Sequence, residues 1–123
     1  MASILVIEDD PGVRDLVTRV LTRAGHDVQI ATDGREGIRS LETFLPDVII
    51  TDINMPGMDG IELITTFRKK RLTVPVIAIS GGGLIAKDIL LSNAAALGAF
   101  EVVSKPFGMG QLIGAVDRAL QPA

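Results

Sequence analysis

The sequence predicts an α/β fold in which helices cover both faces of a parallel sheet. Three observations predict it. Five short apolar runs alternate with five segments of helical periodicity, a pattern that calls for parallel strands joined by right-handed crossovers. Several runs are apolar throughout rather than at every second residue, as strands covered on both faces must be. Hydrophobic residues also make up 47% of the 123 residues, yet no apolar stretch approaches the roughly 18 residues of a membrane span.

Residues 3–7, SILVI, form the first predicted strand. Asp10 then offers a helix cap and Pro11 a first helical position. Val13, Leu16, Val17, Val20, Leu21 and Ala24 recur at helical spacing, and Gly25 closes the segment. Residues 27–31, DVQIA, alternate like a more exposed strand. A weaker helix covers 35–44, and Pro46-Asp47 leads into a buried strand at 47–51. The next helix spans 59–70 with Ile61, Leu63, Ile64 and Phe67 inward. It ends in Arg68-Lys69-Lys70-Arg71, where cations suit the negative end of a helix dipole. A strand at 74–79 leads through Ser80-Gly81-Gly82-Gly83 into a helix over 84–97, which Gly98 ends. A strand at 100–104 and a helix at 109–120, striped by Leu112, Ile113, Val116 and Leu120, complete the order. No linker, repeat or low-complexity segment interrupts it, so one domain is expected over 1–123, with its core at about 3–120.

Composition narrows the function. Without cysteine, disulfides and thiolate metal sites are excluded, and a cytoplasmic protein is expected. The N-terminus meets acid too early for a secretory signal. A net charge of -3 argues against nucleic acid as the direct partner, and no aromatic interleaves the basic run. His26, the only histidine, lies in a turn before the second strand and is expected to be solvated.

Chemistry gathers at one edge. In an open parallel sheet, ligands collect beyond the carboxyl ends of the strands. There the first strand delivers Glu8-Asp9-Asp10, the third Asp52, the fourth Ser80 and the fifth Ser104-Lys105-Pro106. Asp10 is read as the helix cap. Glu8, Asp9 and Asp52 would repel one another unless a cation joined them. Hard oxygen ligands without sulfur or histidine point to Mg²⁺ or Mn²⁺. The set suits phosphoryl transfer onto the Asp52 carboxylate. Lys105 would neutralise one phosphoryl oxygen, and the Ser80 hydroxyl would bind another. Asn54 would lend its backbone carbonyl to the metal, while Pro56-Gly57 turns the chain away.

ILVIEDDPGVR, ITDINMPGMDG, VIAIS and KPF, in this order and spacing, resemble the receiver domains of two-component response regulators over residues 3–120. The resemblance implies a doubly wound (βα)5, flavodoxin-like or CheY-like fold. It also implies strand order 2-1-3-4-5, which flavodoxin and chemotaxis receivers share. It makes Asp52 the phosphoacceptor and Glu8 with Asp9 the acid pair, with Ser80 the hydroxyl and Lys105 the cation. It implies a phosphorelay: a sensor histidine kinase or histidine phosphotransfer protein supplies the phosphoryl group, and a downstream protein reads the change. Such a protein would catalyse only its own phosphorylation and dephosphorylation, and is not expected to turn over a free metabolite.

The chain departs from the family at Val102, where receivers usually carry an aromatic, and it has no Tyr or Trp. Output is therefore expected to rely on loop 80–83 and helix 84–97. Residues 84–107 are the expected partner surface, with a phosphorylation-linked dimer as one form of it. Gly82, lacking a side chain to influence attacking water, leads us to expect an acyl phosphate that hydrolyses readily. Two rivals are weaker. A haloacid dehalogenase-like phosphatase would carry Asp-x-Asp, but this chain has Asp52-Ile53-Asn54. A receiver-like module that is never phosphorylated would lack an acid, hydroxyl or lysine, and none is missing. The start MAS and the end Gln-Pro-Ala favour a stand-alone receiver over part of a longer regulator with a DNA-binding or enzymatic output domain.

Overall fold

Every apolar run assigned to a strand pairs with its neighbour in parallel. The computed structural model describes residues 2–52, 60–69, 73–80, 100–104 and 108–121. The strands are β1 (Ser3–Ile7), β2 (Asp27–Ala31), β3 (Val48–Asp52), β4 (Val76–Ser80) and β5 (Glu101–Ser104). They form one sheet in the order β2-β1-β3-β4-β5. Among the described residues the helices are α1 (Pro11–Arg23), α2 (Gly34–Ser40), α3 (Gly60–Lys69) and α4 (Met109–Leu120). The helix predicted over 84–97 lies outside the described residues. The chain runs outward from β1 to β2, then returns past β1 to β3. That reversal opens a crevice between β1 and β3, the topological switch point of doubly wound folds.

Strand alternation sorts the core. Ile4, Val6, Val48, Ile50, Ile77, Ile79 and Val103 meet Val17, Val20 and Leu21 of α1 and Leu112, Ala115 and Val116 of α4. The intervening residues Leu5, Ile7, Ile49, Val76 and Ala78 point to the opposite face and are equally buried. Leu16, predicted in the apolar stripe of α1, is instead 46% exposed. It lies at the stripe's edge, beside Met109 at the start of α4, lining the same shallow groove.

Caps set the helix ends. The Asp10 carboxylate accepts from the backbone N–H groups of Gly12 (2.8 Å) and Val13 (3.3 Å), with Pro11 next in line. Gly25 adopts φ 92°, and the Gly25 and His26 N–H groups donate to the Thr22 and Leu21 carbonyls. This paired closure needs a left-handed residue, which glycine supplies without a Cβ penalty. The expectation for His26 needs correction: it is half-buried, and its Nδ1 accepts from the Ala2 N–H at 3.2 Å. The α2 prediction of 35–44 ran too long. Leu41, Glu42 and Thr43 N–H groups donate to carbonyls three residues back, so the chain tightens into turns before Pro46. Strands β3 and β4 also sit later than the predicted 47–51 and 74–79, which brings Asp52 inside the ladder opposite Ile79.

Two stability predictions arise here. Gly37 on α2 lies so close to the sheet that an added Cβ would stand 2.5 Å from Ile7 Cδ1 and 2.9 Å from Cγ1. Ile7 is fully buried and cannot move freely. Gly37→Ala is therefore expected to destabilise by about 1–3 kcal/mol through overpacking. Pairing it with Ile7→Val should restore part of the loss, as denaturant midpoints would show. On the other edge, Arg118 of α4 donates to both Glu101 oxygens, at 2.9 and 2.6 Å. Those hydrogen bonds hold the Glu101 carboxyl below its ordinary range, against desolvation, with Arg118's charge adding to them. A lowered carboxyl contributes stability above its unfolded value and loses it as pH falls through the folded one. Because the pair is substantially exposed, Glu101→Gln should only slightly flatten acid unfolding below about pH 4.

Candidate functional site

The ends of β1 and β3 put two carboxylates into the crevice. Ile7 pairs with Ala31 on one side and Thr51 on the other, so Glu8 and Asp52 each follow the last β1–β3 pair. Both are buried, Glu8 at 1% exposure and Asp52 at 3%, whereas Asp9 is open to solvent. The apolar strands answer why acids end up there: β1 and β3 are covered on both faces, and their register carries the next residue to the same edge. One carboxylate oxygen from each of Glu8, Asp9 and Asp52 falls within 4.8 Å of the others. Among the described residues this is the one such group of metal-ligating side chains.

Local contacts fix the acids. The Asp10 N–H donates to Glu8 Oε2 at 3.3 Å, and the Glu8 N–H donates to the Ala31 carbonyl at 3.1 Å. The Thr51 hydroxyl, itself buried, donates to the Asp52 carbonyl at 3.2 Å. Arg14, one turn into α1, donates from Nη1 to the carbonyl of Glu8 at 3.2 Å and, more weakly, to that of Asp9 at 3.4 Å. Sequence reasoning missed Arg14. The available signal was a cation near the positive end of a helix, where the dipole disfavours it.

Of the predicted site residues, Glu8, Asp9 and Asp52 converge. Ser80 closes β4, its backbone opposite Ser104 of β5, so it reaches the same sheet edge; its side chain is outside what the structure describes. Asn54 and Lys105 lie outside the described residues, as does most of the expected partner surface at 84–107. Phe100, the first described residue of that surface, is 49% exposed. The donor set is all carboxylate oxygen, partly buried and clustered. That chemistry fits a small hard divalent cation and does not suit zinc.

A doubly wound parallel sheet with an acid cluster at its switch point is the architecture of a phosphorelay receiver. The chain belongs to that family: residues 4–117 match the response regulator receiver domain. It is 33% identical over 115 residues to the DNA-binding transcriptional regulator NtrC of Klebsiella pneumoniae, covering 94% of this chain and 24% of that one. It is 32% identical over 109 residues to the transcriptional regulatory protein TcrA of Mycobacterium tuberculosis, covering 89% and 42%. The chemotaxis response regulator CheY4 of Vibrio cholerae superposes with a TM-score of 0.87 at 30% identity, covering 98% of this chain and 99% of that one. The chain thus spans less than half the length of these two curated relatives but matches the chemotaxis regulator end to end. It is a response regulator receiver, and receivers bind Mg²⁺ at an acidic pocket of this kind. No helix among the described residues is long and apolar enough to cross a membrane.

Proposed function

We propose that this receiver accepts a phosphoryl group on Asp52 with the help of a divalent ion held by Glu8, Asp9 and Asp52. The observation that carries the reading is the meeting of these three carboxylates within 4.8 Å at the switch point of the sheet. Mg²⁺ or Mn²⁺ bound there would neutralise charge on the acids and on the transferring phosphoryl group. An Asp52 oxygen forms a bond to phosphorus as the P–N bond of a donor phosphohistidine breaks. The departing imidazole nitrogen keeps the electron pair and takes up a proton. Glu8 and Asp9 would hold the ion, with the Asn54 carbonyl expected to join them. Ser80, at the end of β4, and Lys105, the cation that the family resemblance assigns, bind the remaining phosphoryl oxygens.

The donor is a sensor histidine kinase or a histidine phosphotransfer protein in the cytoplasm. The product is a change in protein contacts through residues 84–107, including a phosphorylation-linked dimer. No free metabolite is turned over, so the protein is a switch and not an enzyme in the ordinary sense. A second reading, a receiver joined to a DNA-binding or enzymatic output domain, draws support from the 24% and 42% of NtrC and TcrA that the match covers. Intact-mass measurement after acetyl phosphate and Mg²⁺ treatment tests the phosphoacceptor reading. The expected result is one added phosphoryl group; an unchanged mass would overturn it.

A further inference from the structure

We infer that Arg14 is a positioning residue for the cation site, a role that rests on the acid-cluster reading above. Its guanidinium nitrogen Nη1 donates to the carbonyl oxygens of Glu8 and Asp9, the two residues that supply the acid pair. The side chain is half-buried, and its bond to the Glu8 carbonyl is partly buried and so competes less with water than a surface contact does, whereas the longer bond to the Asp9 carbonyl is exposed. They tie the β1–α1 turn to the first turn of α1, whose start Asp10 already pins through Gly12 and Val13. The Asp10 N–H in turn touches Glu8 Oε2, so the turn and the carboxylate move together.

The placement of Arg14 argues against a general stabilising charge. A cation this near the positive end of α1 opposes the dipole, which the capping carboxylate of Asp10 offsets only in part. Its charge also repels an incoming divalent ion. What the guanidinium supplies is geometry: two carbonyls held at one nitrogen, and hence a fixed spacing of the acids. Groups that orient metal ligands commonly change affinity by roughly 10- to 100-fold. Because this contact acts through backbone, the expected effect lies at the low end, about tenfold.

Charge and geometry are separable. Arg14→Lys keeps the charge but loses the planar fork, while Arg14→Met removes both. The test is a calorimetric titration with Mg²⁺ alone on wild type, Arg14→Lys and Arg14→Met, paired with thermal unfolding in chelator. Amide exchange at Asp10, Gly12 and Val13 in metal-free protein gives an independent readout. The expected result is Mg²⁺ affinity about tenfold weaker in Arg14→Met and intermediate in Arg14→Lys, with faster exchange at those three amides before metal is added. Wild-type affinity in both variants, or tighter binding in Arg14→Met, would overturn the positioning role. So would weaker binding explained wholly by the fraction unfolded in chelator. A wild-type protein that binds no Mg²⁺ would instead overturn the cation site itself.

Discussion

Asp52→Asn is expected to end covalent phosphorylation, leaving the mass unchanged after acetyl phosphate and Mg²⁺ treatment that adds one phosphoryl group to the wild type. The substitution is close to isosteric, which matters because Asp52 is 3% exposed in a strand with no exposed residue. An amide keeps the volume and the β3 ladder but presents no anionic nucleophile. Folding should therefore survive, and circular dichroism should be unchanged. The same variant also removes one of three cation ligands, so Mg²⁺ affinity should fall in parallel. Phosphorylation that persists in Asp52→Asn would show another acid, Asp9 foremost, to be the acceptor. The exposure of Asp9 makes it the natural competitor, since a donor could reach it without entering the crevice. Burial favours Asp52: a desolvated carboxylate is preorganised for in-line attack once its charge is shared with a cation.

Much of this arrangement is legible in the sequence. The strand signals were strong because β1 and β3 read as unbroken apolar runs, and Asp10-Pro11 and Gly25 marked the ends of α1 by their own chemistry. The acids were legible because they follow those runs directly, and a parallel register forces such residues to one edge. Less legible was anything set by contact across the sequence. Neither the support of Arg14 for the Glu8 and Asp9 carbonyls nor the lodging of Ala2 against His26 leaves a periodic trace. Both are hydrogen bonds to backbone, which any residue offers. The end of α2 was misjudged for a related reason: tightening at Leu41–Thr43 is a choice between hydrogen-bond patterns of similar energy. Leu16 shows the limit of periodicity, which assigns a face but not how far the neighbouring helix extends to cover it.

Asp9→Asn should separate cation binding from nucleophilicity, because Asp9 belongs to the cluster yet stands in solvent. Glu8, Asp9 and Asp52 offer three negative charges to a divalent ion, and the variant offers two. A unit charge about 4 Å from another interacts by about 1 kcal/mol in water, and the divalent ion doubles that to ~2 kcal/mol. Removing Asp9's charge should thus weaken Mg²⁺ by roughly thirty-fold. Salt adds a second signature. The exposed Asp9 contribution is screened over about 8–10 Å at ordinary ionic strength, so the gap between wild type and variant should narrow as salt rises. Phosphorylation by acetyl phosphate should slow at low Mg²⁺ and recover partly at high Mg²⁺, since Asp52 is intact. A rate insensitive to Mg²⁺ in both proteins would mean that the acids tolerate one another without a divalent cation. A variant that binds Mg²⁺ as tightly as wild type would place the cation on Glu8 and Asp52 alone, leaving Asp9 as the entry point to the crevice.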